Sequence, residues 1–136
     1  MNPSIQSTRD GEFKGRRVLV TGGTKGAGKA IADRFLQGGG TVIITARSAP
    51  KENAGSHFIQ ADVSTSEGTD KVVREILDRF KGIDIMVHNV GGSSAPSGGF
   101  ITVTEELWQQ AINENLFPAV RLDRGLLPSM IERARA

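Results

Sequence analysis

The sequence predicts an α/β fold: a doubly wound parallel sheet of about four strands, with helices on both faces in three α/β/α layers. Two observations predict it. Short β-branched runs alternate with helical patterns along the chain, the order expected of parallel strands joined by crossover helices. The first such run, ending at Val20, passes straight into a glycine-rich turn and then into helical spacing, so strand, turn and helix form one unit.

The elements follow in order. Residues 1–14 are polar and turn-rich and are expected to form a mobile tail ahead of a domain over 15–136. The first strand is expected near Arg16 to Thr21, and the stretch VLVTGGTKGAGK carries it into the turn. Gly22 lets the chain leave the strand tightly, Gly26 leaves room for a ligand's phosphates, and Gly28 lets helix and strand pack closely. The helix from Ala30 to Leu36 aims unpaired N–H groups and the positive end of its dipole at the turn, so an anionic ligand, most simply a nucleotide, is expected. Two rival readings are a glycine turn without a ligand and an NTPase phosphate loop. Gly23, Gly28 and Lys29 fit G-x-x-x-x-G-K, but Ala30 stands where a magnesium-binding Ser or Thr is needed.

Gly38 to Gly40 end the helix and lead to a second strand, Thr41 to Thr45. Arg47 and Ser48 follow, with no carboxylate. In dinucleotide-binding sheets an acidic residue here holds the 2′-hydroxyl of NAD, whereas an Arg suits the 2′-phosphate of NADP. Position alone lifts Arg47 above a solvated loop cation, and NADP(H) is favoured over NAD(H). His57 to Ala61 reads as the third strand, with His57 at its edge. Asp62 and Val63 follow at its carboxyl end, and Asp62 before Ser64 also reads as a turn or helix cap.

Ser66 to Phe80 is an amphipathic helix, with Val72, Val73, Ile76, Leu77 and Phe80 at helical spacing and Gly82 as its stop. Ile83 to Val87 is nearly continuous apolar sequence, as a parallel strand covered on both faces requires. It runs into His88, Asn89, Val90, Gly91 and Gly92, and then a Gly, Ser and Pro-rich loop to Phe100. Thr104 caps a last helical region, with Glu105 and Glu106 in its first turn. Trp108, Ile112, Leu116, Val120, Leu127 and Ile131 give this region an apolar stripe, read as core or subunit interface. Pro118 predicts a break at 114–118.

Thr21 to Gly28 spells T-G-x-x-x-G-x-G, which resembles the fingerprint of the short-chain dehydrogenase/reductase family, NAD(P)-dependent oxidoreductases on a Rossmann-type fold. HNVGG resembles that family's N-N-A-G motif, matching at Asn89 and Gly91 and departing at His88 and Val90. The resemblance implies a cofactor cradle of Gly22, Thr24, Lys25, Gly26, Ala27 and Gly28, with Lys25 a second cation beside Arg47 and Ser48. It implies that Asp62 binds the adenine amino group with help from the Val63 backbone. Asn89 would tie strands together, and Gly91 would let the backbone approach the cofactor ribose. Asn115, at a helix interruption, would expose backbone to a catalytic water. His88 is read as a strand-end histidine and not as a catalyst.

Hydride transfer in this family uses a Ser and a Tyr and Lys spaced Y-x-x-x-K. This chain has no tyrosine, and its 136 residues cover about half of a typical member. It is therefore expected to be an N-terminal, cofactor-binding part of an alcohol or carbonyl oxidoreductase, truncated after about four strands and without turnover of its own. The parent enzyme is expected to be a homo-oligomer. A non-catalytic nucleotide-binding module and an interaction protein using an exposed sheet edge are the alternatives.

Composition narrows the classes. With 17 basic and 15 acidic residues and 5% aromatics, no basic face interleaved with aromatics points to nucleic acid. There is no cysteine for a disulfide or a thiolate metal site, and no bound metal is expected. The first fifteen residues hold no apolar run, and no stretch reaches membrane-spanning length, so a cytoplasmic protein is expected.

Overall fold

The computed structural model describes residues 10–135. Among them, β1 (Arg17–Thr21), β2 (Thr41–Ala46), β3 (His57–Gln60) and β4 (Ile85–Val87) form one parallel sheet in the order β3-β2-β1-β4. The first three strands match the predicted runs to within a residue. β4 is shorter than the predicted Ile83 to Val87, because Ile83 turns into the core and Asp84 is engaged with Arg17.

The period of two along each strand sorts its side chains between two cores. Val18, Val20, Val42 and Ile44 face α1 (Gly26–Gln37), which contributes Ala32, with Ile31 and Phe35 packed alongside. Leu19, Ile43 and Ile59 face the opposite way, onto Val72 and Ile76 and onto Leu122 and Leu126. Those belong to α2 (Ser66–Glu75), its π-helical continuation Ile76–Phe80, and α4 (Phe117–Arg135). Helix, sheet and helix pair make the three predicted layers.

Residues 1–9 of the expected tail lie outside the described residues. Residues 10–14 form turns, and the Phe13 ring packs 4.6 Å from that of Phe35 while its N–H donates to the Gly38 carbonyl at 2.7 Å. This short stretch is docked on the end of α1.

α2 begins at a true cap. The Thr65 hydroxyl accepts from the Gly68 N–H at 3.0 Å, and Glu67 lies in the first turn. Thr65→Ala is expected to lower the unfolding free energy by about 1 kcal/mol, read from the urea midpoint at constant slope. The predicted helix to Phe80 ends in a π turn instead of an α turn. It closes at Lys81 (φ 63°), where the Arg17 guanidinium donates to the Phe80 carbonyl at 2.8 Å.

The last helical region is two helices, α3 (Glu105–Asn115) and α4, with Leu116 between them. Pro118 thus falls in the first turn of α4, where a missing N–H costs nothing. Pro128 lies inside α4. The apolar stripe is not core in this chain: Trp108, Ile112, Leu116, Val120, Leu127 and Ile131 are all exposed. Leu122 and Leu126 are buried instead, on a face of α4 about a third of a turn away. α4 therefore has two apolar faces, and periodicity alone does not say which one meets the sheet.

The two outer strands end differently. At β3, the Lys71 ammonium donates to the Gln60 carbonyl at 2.6 Å. β4 carries no such cover among the described residues.

Candidate functional site

Because the strands are parallel, their carboxyl ends lie along one side of the sheet, and the residues singled out in the sequence follow those ends. The tightest part is where β1 meets α1. Gly22 (φ 63°) and Gly26 (φ 59°) hold left-handed conformations that side chains disfavour. A Cβ on Gly28 would overlap the Gly22 carbonyl oxygen and the Asn89 amide nitrogen, so Gly28 permits close packing as expected. A Cβ on Gly26 would meet nothing within 4 Å among the described residues, so the space over it is open.

The start of α1 differs from those of the other capped helices. Thr65 caps α2, and Thr104 accepts from the Leu107 N–H at 3.3 Å at α3, each with acidic residues in the first turn. At α1 the N-cap is Lys25, no side chain caps it, and the first turn has no acidic residue. Its leading N–H groups and dipole end face the glycine turn without a counter-charge from the described residues. Thr24 is half-buried in this turn, and Lys25 and Ala27 are exposed on it. Lys29, which the NTPase reading would need for phosphate, is instead paired with Asp33 at 2.6 Å.

Thr21 and Asn89 join β1 to the segment after β4. The Thr21 hydroxyl accepts from the Asn89 N–H at 3.0 Å and the Val90 N–H at 3.3 Å, and the Asn89 side chain donates to the Gly22 carbonyl at 3.2 Å. Thr21 opens the T-G-x-x-x-G-x-G run without a role of its own in the sequence analysis; its signal there is a hydroxyl closing an otherwise apolar strand, and the fold leaves it 1% exposed. Next along, the Asn115 side chain clasps Gly92: its Oδ1 accepts from the Gly92 N–H at 2.9 Å and its Nδ2 donates to the Gly92 carbonyl at 2.8 Å. A Cβ on Gly91 would come within 2.8 Å of that same Oδ1. Asn115 thus sits at the end of α3, as expected of a helix interruption, with its side chain holding the loop.

Arg47 and Ser48 are exposed beyond β2, and the Arg47 carbonyl accepts from Gln60 Nε2 at 2.9 Å. Asp62, also exposed, accepts from the Ser64 N–H at 3.0 Å and from its hydroxyl at 2.6 Å through Oδ1. The local turn proposed as an alternative role for Asp62 therefore exists, and it leaves Oδ2 outside that turn. Val63 buries its side chain in the core, leaving only its backbone to serve the cleft. His88 bonds Asp123 at 2.8 Å, and residues 92–99 are exposed and irregular. Among the described residues no three His, Asp or Glu side chains converge as metal ligands, and no helix is long and apolar enough to cross a membrane.

Comparison with known proteins places this geometry. The family model described as short chain dehydrogenase matches residues 16–136. Serine 3-dehydrogenase of Rhizobium radiobacter is 34% identical over 125 residues, which are 85% of this chain and 49% of that protein. The structure of L-sorbose reductase from Gluconobacter frateurii complexed with NADPH and L-sorbose superposes with a TM-score of 0.79 at 33% identity, over 89% of this chain and 49% of that one. An NADH-dependent reductase, A1-R′, complexed with NAD shares the fold with a TM-score of 0.83 at 23% identity, over 92% of this chain and 56% of that one. The chain thus spans about half the length of the relatives it matches.

Proposed function

The chain belongs to the short-chain dehydrogenase/reductase family, and from that premise we propose that its strand-end cleft binds a nicotinamide dinucleotide, NADP(H) ahead of NAD(H). It would form the cofactor half of an oxidoreductase acting on an alcohol or carbonyl group. The observation that carries this reading is the start of α1, uncapped and without acidic residues beside the open space over Gly26. Such an end stabilises a pyrophosphate through N–H groups and the helix dipole.

The remaining roles follow from position. Gly22, Thr24, Ala27 and Gly28 shape the turn; Lys25 and Arg47, with Ser48 beside them, would receive the 2′-phosphate. Asp62 Oδ2 and the Val63 backbone would meet the adenine. Asn89 holds, through the Gly22 carbonyl, the segment in which Gly91 would lie against the ribose. When bound, the cofactor supplies or accepts the hydride. Support for NADP(H) comes from Arg47 in place of a carboxylate and from the NADPH-bound L-sorbose reductase at 33% identity.

The chain contributes no tyrosine, so its own 136 residues are proposed to bind cofactor without turning it over. Asn115 would be the family's interrupted-helix asparagine. A nucleotide-binding module without catalysis is the second reading, favoured by that same composition. The exposed stripe from Trp108 to Ile131 is the surface offered for the expected self-association, which sedimentation would read.

Titration with NADPH and with NADH, followed by Trp108 fluorescence or by calorimetry, tests the reading. NADPH is expected to bind about tenfold tighter, and Arg47→Asp to remove or reverse that ratio. Equal affinities that Arg47→Asp leaves unchanged would overturn the NADP preference. Binding of neither nucleotide by the folded chain would overturn the cofactor assignment.

A further inference from the structure

α4 reaches both loops of the cleft from a single turn. Leu122 is fully buried in the core that Leu19 and Ile43 of the sheet also enter, which anchors that turn. On one side of it, Arg121 Nη1 donates to the Ser64 carbonyl at 3.2 Å, in the loop after β3. On the other, Asp123 Oδ1 lies 2.8 Å from His88 Nε2, in the segment after β4. An ionised carboxylate only accepts, so His88 Nε2 carries the proton of this bond. The two loops thus joined hold Asp62 and Val63, and Asn89 and Gly91.

We infer that Arg121 and Asp123 are positioning residues, which fix the loops after β3 and β4 from α4 and thereby set the affinity of the cleft for a nucleotide. The inference rests on the nucleotide-binding reading for its consequence, but not for the tether itself. Each works through a neighbour, Arg121 through the Ser64 backbone and Asp123 through His88. His88 is one of the positions at which the chain departs from the N-N-A-G pattern.

The segment after β4 is otherwise tied to Thr21, to Gly22 and to Asn115. Asp123 adds a further tie, before Asn89, where a small rotation of the strand end would be carried into Asn89 and Gly91. The loop after β3 has its own internal bonds from Ser64 and Thr65 to Asp62, and Arg121 fixes that closed turn relative to the helix layer. Geometry of this kind lowers the ordering cost that a ligand would otherwise meet on binding.

The test compares Asp123→Ala, Asp123→Asn and Arg121→Ala with the parent chain. Amide hydrogen exchange is measured without nucleotide, and NADPH affinity by titration. Asp123→Ala is expected to speed exchange at Asn89 to Gly92 about tenfold, and Arg121→Ala to do so at Ser64 and Thr65. Thr41 to Ala46 of β2 should stay protected in both variants. NADPH binding should weaken about fivefold in each. Asp123→Asn keeps an acceptor oxygen for the His88 N–H and is expected to restore most of both properties. Exchange that quickens equally in β2, or NADPH affinities within about twofold of the parent, would overturn the inference. If the parent chain itself binds no NADPH, the nucleotide reading fails. The exchange pattern then still decides whether α4 holds the two loops.

Discussion

Gly28→Ala is expected to abolish measurable NADPH binding and to lower the unfolding free energy by about 3 kcal/mol. The added methyl overlaps the Gly22 carbonyl oxygen and the Asn89 side-chain amide. The first is backbone and is held in a left-handed turn (φ 63°). The second is committed to that same carbonyl, so neither yields without opening the junction of β1, α1 and β4. Gly26→Ala is the control. Its methyl meets nothing within 4 Å among the described residues, and its cost is confined to a residue at φ 59°, about 1–2 kcal/mol. Urea unfolding of the two variants beside NADPH titration separates the effects. Equal destabilisation by both would show that backbone strain, and not steric closure at Gly28, governs the turn.

Asp84→Ala is expected to cost about 3–5 kcal/mol of stability, a loss comparable with that at Gly28 but with no ligand involved. The Asp84 side chain is 4% exposed. It accepts from the Arg17 backbone N–H at 2.8 Å and from Arg17 Nε at 3.0 Å and Nη2 at 3.2 Å, and it forms an ion pair with Arg133, whose Nε lies 3.1 Å from Oδ1. Removing it strands the Arg17 guanidinium, itself 16% exposed, with only the Phe80 carbonyl. Burial pushes the Asp84 carboxyl upward. The hydrogen bonds from the Arg17 side chain and backbone, with the charges of Arg17 and Arg133, outweigh it and hold the group below the usual aspartate range. Between that lowered value and the unfolded value, about 3.9, the unfolded state binds more protons, so stability rises with pH across that window. The contribution is complete above about pH 4 and is lost as pH falls through the folded value. Unfolding free energy against pH should show this slope in the parent chain and lose it in Asp84→Asn. An unchanged slope would place the acid sensitivity elsewhere.

The parts of the fold legible from sequence were those written in local pattern. Val18 to Val20 and Val42 to Ile44 alternate between the two cores as a strand must, and Gly22, Gly26 and Gly28 announce a turn because their conformations or contacts admit nothing larger. The parts not legible depend on partners far along the chain. Arg17 and Asp84 are 67 residues apart, and nothing near either one signals the other. Thr21 looked like the end of a strand, and its hydroxyl acquires a purpose only when Asn89 and Val90 arrive beside it. The stripe through Trp108 and Leu127 has as good a helical period as Leu122 and Leu126, and which face meets the sheet was decided by packing. Asp62 and Asn115 stand out in the sequence by position, but their local bonds, to Ser64 and to Gly92, are invisible without the fold.

The unequal outer strands bear on how copies of this chain could accumulate. Endless growth through sheets needs two receptive sides, since each added copy must offer the next one a fresh side. With the Lys71 ammonium seated on the Gln60 carbonyl, the β4 side is the more open of the two among the described residues. Pairing of two copies through their β4 edges uses both open sides at once, so such a joint favours a finite pair over a fibre.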